Sequence, residues 1–121
     1  TEVTKGFLDS TGLGNMISDA ILDLPRLYIN LIKHQVLLNG LEVELTTKEF
    51  DLLAFLTRNR GQVFTREQLL NKVWGFDYVG DTRAVDSAIK RLRKKINHEE
   101  KNSIFIHTVR GIGYRFEVPN Q

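Results

Sequence analysis

The sequence predicts an α+β fold: a small antiparallel sheet, then three helices, then a β-hairpin. Three observations carry this. Short apolar and β-branched runs separated by turn residues fill the stretch from Ala20 to Leu45. Two capping boxes, Thr46-Thr47-Lys48-Glu49 and Thr65-Arg66-Glu67-Gln68, each open a helical period. Two β-type runs about a glycine-flanked turn close the chain.

Residues 1–19 hold Gly6, Gly12 and Gly14 among scattered polar residues with no sustained period, and are expected to be linker. The folded domain is expected over 20–118, with 119–121 as a tail. Ile21–Leu24, Leu27–Leu31 and Gln35–Leu38 read as strands punctuated by Pro25 and by Asn39-Gly40, a strong hairpin-turn pair. Leu41-Glu42-Val43-Glu44-Leu45 alternates strictly, as a half-buried strand should.

Behind the first capping box, Phe50, Leu53, Ala54 and Leu56 form an apolar stripe that ends near Asn59–Gly61. The second box opens a shorter helix expected to bury Leu69, Leu70 and Val73, with Trp74 at its end; Gly75–Asp81 then reads as a loop. The third helix spans about Thr82–Asn97. At helical spacing Val85, Ile89, Leu92 and Ile96 fall within about 60° of one another. Arg83, Ser87, Lys90 and Lys94 lie opposite, with Asp86 and Arg93 on one flank and Arg91 on the other. Such a rod is roughly 24 Å long, and a helix is a shape the major groove of DNA admits. A polar loop, His98–Ser103, leads to Ile104–Val109 and Gly113–Val118 about the turn. Gly111-Ile112-Gly113 reads as turn chemistry, because no helix or Lys-Ser pair follows to make a phosphate loop.

Composition excludes several classes. With 121 residues and 41% hydrophobic content, one domain with an unstapled core is expected. The absence of cysteine rules out a disulfide scaffold and a cysteine-based zinc finger. No apolar window reaches membrane-spanning length, the start of the chain carries no secretory pattern, and a reducing cytoplasm is the expected location. His34, His98 and His107 are widely spaced, and Ser10, Ser18, Ser87 and Ser103 lack a nucleophile-elbow context. No enzyme activity, cofactor or metal is expected.

The formal charge of +2 conceals an asymmetry. Residues 1–50 hold four Lys/Arg against seven Asp/Glu, whereas residues 81–121 hold nine against five. From Arg83 to Lys95 there are six basic residues and only Asp86 to oppose them. A basic stripe is the footprint of a polyanion binder, and it is equally the solvated face of an ordinary helix. Charge alone leaves both open.

The motifs decide more. Leu45-Thr46-x-x-Glu49-Phe50-x-Leu52-Leu53, Thr65-Arg66-Glu67-x-Leu69-Leu70, Val73-Trp74-Gly75, Arg83-x-Val85-Asp86, Arg91-Leu92-Arg93-Lys94-Lys95-Ile96 and Thr108-Val109-Arg110-Gly111-x-Gly113-Tyr114 stand in order. Over about residues 20–118 the sequence resembles the DNA-binding effector domain of OmpR/PhoB-family bacterial response regulators. The resemblance implies a winged helix-turn-helix with an N-terminal four-stranded antiparallel sheet, a three-helix bundle and a C-terminal β-hairpin wing. It further implies a cytoplasmic transcription regulator of a two-component system, binding double-stranded DNA sequence-specifically.

Carried over residue by residue, the resemblance puts Ser87, Arg91, Lys94 and Asp86 at the major groove, with Arg91 the leading base reader. A guanidinium can bond two acceptors on a guanine edge, which suits that role. Asp86 could accept from a cytosine amino group or orient Arg83 or Lys90. Arg66, Trp74, Arg83, Lys90, Arg93 and Thr108 match backbone-contacting positions, and such groups fix register without reading sequence. Trp74 could equally be core. Arg110, at the wing tip, suits a narrow minor groove or a solvated turn. In the family the loop after the second helix touches RNA polymerase; Phe76 and Tyr78 would be its exposed anchors, or would pack on their own domain. Ala84 and Ala88 stand where larger polar residues often face DNA, which would remove two contacts.

The family's receiver domain, through which a sensor kinase acts, needs about 100 residues. An isolated effector domain is therefore expected, monomeric in solution, pairing in tandem on DNA and taking no phosphate on Asp9, Asp19 or Asp23. A competing reading is a winged-helix module that docks protein or structured RNA through the basic helix.

Overall fold

The computed structural model describes residues 20–96 and 105–118, which fall into two compact units divided between Glu42 and Val43. The expected linker, the polar loop His98–Ser103, Ile104 and the tail lie outside the described residues.

The first unit is a four-stranded antiparallel sheet, β1 (Ile21–Leu24), β2 (Leu27–Asn30), β3 (Gln35–Leu38) and β4 (Leu41–Glu42), in the order β1-β2-β3-β4. Leu22 pairs with Ile29 and Ile29 with Val36, while Leu24 pairs with Leu27 and Leu27 with Leu38. One face is therefore wholly aliphatic, and Leu27, Ile29 and Val36 are buried. The turns follow their residues. Asn39 and Gly40 both take positive φ, at 53° and 82°, as a two-residue turn matched to strand twist requires. Asn30 closes the longer loop, its Oδ1 accepting from the backbone N–H groups of Ile32 and Lys33 at 3.0 Å each. The alternation through Leu45 overstates the last strand, which ends at Glu42. Alternation sets which way side chains point, but only a paired neighbour makes a strand; Leu37 and Leu38 pair with Glu42 and Leu41, and pairing stops there.

The second unit holds α1 (Thr47–Arg58), β5 (Val63–Thr65), α2 (Arg66–Leu69), a wide π turn (Leu70–Trp74), α3 (Arg83–Ile96), β6 (Ile106–Val109) and β7 (Gly113–Phe116). Both capping boxes form: Thr46 Oγ1 accepts from the Glu49 N–H and Glu49 Oε1 from the Thr46 N–H, and Thr65 and Gln68 repeat the exchange. Three residues were too few to signal β5 in the sequence. It pairs with β7, turning the expected hairpin into a three-stranded sheet ordered β5-β7-β6.

The second helix also differs from expectation. After Leu69 it widens, and the Gly75 N–H reaches back five residues to the Leu70 carbonyl at 3.0 Å. The extra residue per turn rotates the face, so Leu69 is buried but Leu70, Val73 and Trp74 are only half-buried. Lys48 Nζ donates to the Val73 carbonyl at 3.1 Å, satisfying an acceptor at the end of that turn. The core is built from Leu52, Leu53 and Leu56 of α1, Leu92 and Ile96 of α3, and the stacked rings of Phe105 and Phe116, 5.6 Å apart.

Candidate nucleic-acid interface

The basic helix α3 is docked on one face only. Val85, Ala88, Ile89, Leu92 and Ile96 are buried, one residue more than the expected stripe. Ala88 therefore belongs to the core rather than to a DNA-facing surface. Helical spacing sets it on the edge of that stripe, where a small side chain lets backbones approach. On the opposite arc Ser87, Lys90 and Lys94 are exposed, and their side chains make no hydrogen bond or ion pair with a described residue.

Asp81 starts the helix. Its Oδ1 accepts from the Arg83 backbone N–H at 2.9 Å, and the Arg83 guanidinium bridges the carboxylate, with Nη2 3.0 Å from Oδ2. The hydrogen bonds from the Arg83 side chain and backbone hold the Asp81 carboxyl below its usual range. Arg83 remains exposed.

On one flank Arg91 leans back toward α1. Its Nε lies 2.8 Å from Glu49 Oε2, and Lys95 Nζ lies 2.7 Å from Glu49 Oε1. Glu49 is wholly buried. Burial pushes its carboxyl up, but hydrogen bonds from Lys95, the Thr46 backbone and Arg91 outweigh that, and its pKa stays below the ordinary value. The expected leading base reader is thus also half of a clamp that fixes α3 against the start of α1. Its side chain is 54% exposed, and only Nε is engaged by Glu49.

On the other flank Asp86 orients neither Arg83 nor Lys90. Its Oδ2 takes Arg66 Nη1 at 2.8 Å, and its Oδ1 accepts from the Tyr114 hydroxyl at 2.7 Å. Each oxygen already accepts one hydrogen bond from within the protein. Arg66 is held in its charged form by that hydrogen bond, and burial together with Asp86 raises the Tyr114 hydroxyl above its usual pKa. Arg93 stacks over Tyr114, its Cζ 5.4 Å from the ring centroid, and donates to the Ile106 carbonyl and the Thr108 hydroxyl. Arg66, Arg93 and Thr108, far apart in sequence, are so brought to one side of the unit.

Arg110 is exposed at the wing tip, in a turn closed by the Ile112 N–H on the Val109 carbonyl, with Gly111 at φ 79°. In the loop after the second helix Phe76 is 85% and Val79 96% exposed. Tyr78 is 41% exposed and also tilts against Trp74, ring centroids 6.4 Å apart. Sequence reasoning assigned no role to Tyr114, and knew Glu49 only as a cap. Tyr114 could not be found without the register that puts it opposite Thr108. For Glu49 the signal was present: an acidic residue at a helix start facing a sequence with paired cations four apart at Arg91 and Lys95.

A family profile described as "Transcriptional regulatory protein, C terminal" matches residues 40–116. The sensory transduction protein RegX3 of Mycobacterium leprae is 48% identical over 101 residues, covering 84% of this chain and 51% of the relative. The chain thus spans about half the length of the curated relatives it matches. Among solved structures, the Thermotoga maritima response regulator DrrB, an OmpR/PhoB homologue, superimposes with a TM-score of 0.72 at 38% identity, covering 80% of this chain and 44% of that one. The DNA-binding domain of Klebsiella pneumoniae RstA, solved in complex with the RstA box, gives 0.70 at 40% identity, covering 79% and 95%. With its sheet, capped helices, basic α3 and hairpin already in that order, the chain belongs to the family of winged-helix C-terminal effector domains of OmpR/PhoB-type response regulators.

Proposed function

We propose that this chain binds double-stranded DNA sequence-specifically in transcription control, with α3 in the major groove and the β6–β7 wing over the adjacent minor groove. The observation that carries the reading is the outward arc of α3. Ser87, Lys90 and Lys94 are exposed and unpartnered among the described residues, on a helix whose other face is fully docked. Cations with no internal counter-charge suit a partner that supplies phosphates, each of which releases counterions when neutralised.

Roles follow from what each side chain already holds. Lys90, Lys94 and Ser87 meet the groove directly. Arg91 reaches a guanine edge end-on through its terminal nitrogens, since Nε holds Glu49. Arg66, Arg83, Arg93 and Thr108 line the flanks as backbone contacts, joined by the Trp74 indole N–H, and Arg110 enters an A·T-rich minor groove. Exposed Phe76 and Tyr78, with Val79 beside them, are the anchors for RNA polymerase, Tyr78 also resting against Trp74. The full-length regulator answers a sensor kinase and pairs in tandem on its site, while this unit alone is a monomer.

Selection of bound sites from random duplexes, against competitor DNA, tests the reading. A recovered motif with direct-repeat half-sites is expected. Lys90→Ala should then weaken all duplexes alike and reduce the salt slope by about 0.9. Recovery of no motif, with equal binding to structured RNA, would sink it.

A further inference from the structure

The face that would meet a duplex is assembled from three pieces: the start of α2, α3, and the β6–β7 wing. A continuous chain of side chains joins them. Arg66 of α2 bonds Asp86 of α3, Asp86 bonds Tyr114 of β7, Tyr114 carries Arg93 of α3 on its ring, and Arg93 bonds Thr108 of β6. Thr108 is the cross-strand partner of Tyr114, so the chain closes on itself. Asp86 and Arg93 lie two turns apart on α3 and grip the wing at two points. A cleft of about 300 Å³ opens over this junction, lined by Arg66, Asp86, Thr108, Gly111, Ile112 and Tyr114.

A carboxylate here needs explaining. Asp86 is one-third exposed on a face that also carries Arg66, Lys90 and Arg93, where it repels a polyanion. What it holds accounts for it. We infer that Asp86, acting through Tyr114 and Arg66, is a positioning residue that locks the wing to α3 and aims the α2 cation, so that all three pieces meet a duplex in one preset geometry. This rests on the duplex-binding reading above. The guanidinium has five donors, so Arg66 bonds Asp86 through Nη1 and keeps the others for a phosphate. Side chains ordered before binding lose less freedom during it, which is how a repelling charge can still raise affinity.

Asp86→Asn and Tyr114→Phe in the whole chain separate the possibilities, with affinity for the selected duplex measured by anisotropy across a salt series. For a bystander carboxylate, Asp86→Asn removes repulsion and tightens binding. For a positioning residue it weakens binding about tenfold, the equivalent of one charge-assisted hydrogen bond. The salt slope then flattens by about 0.9 for each clamp let go. Tyr114→Phe changes no charge and keeps the ring under Arg93, so it isolates the hydroxyl. It should weaken binding several-fold and blunt discrimination between A·T and G·C pairs beneath the wing. Tighter or unchanged binding by Asp86→Asn, with Tyr114→Phe indistinguishable from the parent, overturns the inference while leaving duplex binding intact. Should Asp86→Asn fail to fold, Tyr114→Phe alone decides. A parent chain that binds no duplex at low salt defeats the underlying reading first.

Discussion

Glu49 is a buried carboxylate holding three groups at once: the Thr46 backbone N–H at the start of α1, and the Arg91 and Lys95 cations of α3. Glu49→Ala orphans one backbone donor, worth about 1 kcal/mol, and two charge-assisted bonds of about 1.5–3 kcal/mol each. The latter must be discounted, because the Arg91 and Lys95 side chains are 54% and 35% exposed and rehydrate when released. A net loss of about 3 kcal/mol is expected, on the order of 10–15 °C in melting temperature for a chain this size. Glu49→Gln keeps an acceptor for Thr46 but not the charge, and should lose about half as much. The pKa adds a second signature. Its folded value lies below the ordinary 4.5, so the charge contributes stability that is fully present above that pH and is lost as pH falls through the folded value. Urea unfolding of the parent and both variants at pH 7 and pH 3 measures this. The gap between parent and Glu49→Gln should shrink below about pH 4.5. An alanine variant within about 0.5 kcal/mol of the parent at pH 7, or an undiminished glutamine gap at pH 3, would refute the account.

Two glycines should behave oppositely in kind. A Cβ at Gly113 would sit 1.9 Å from the Phe64 carbonyl oxygen, so Gly113→Ala must part β5 from β7; a loss of at least about 3 kcal/mol and of wing-dependent DNA affinity is expected in unfolding and anisotropy measurements. Gly40 has open space around it but a φ of 82°, so Gly40→Ala should lose only about 1 kcal/mol, through strain alone. On α3 the two faces should separate cleanly. Leu92→Ala, in the core, lowers stability by about 2–5 kcal/mol, whereas Lys90→Ala leaves the unfolding midpoint unchanged and weakens DNA binding. Mutating Phe76 to Ser should leave both stability and DNA binding unchanged, and reduce only transcription with purified polymerase.

Local signals were legible because local chemistry produces them. Capping boxes at Thr46 and Thr65 satisfy orphan donors within one turn, and the Asn39-Gly40 turn needs only its own two residues. Helical periodicity separated the docked face of α3 from Ser87, Lys90 and Lys94 without reference to anything else in the chain. Motif order carried the family as well. Only the tertiary structure decided the rest. Leu41–Leu45 looked like five strand residues but found partners for two, and Val63–Thr65 became a strand only because β7 lies beside it. The π turn at Leu70–Trp74 rotated a face that ideal spacing would have buried. Most of all, charge placement on α3 could not say which cations were already taken. Arg91 and Lys95 hold Glu49 across more than forty residues of sequence, Asp86 holds Arg66 and Tyr114, and Lys90 and Lys94 hold no described residue. A side chain's type is set in the sequence; whether its hydrogen-bonding capacity is left for a partner depends on what the fold brings within 3 Å of it.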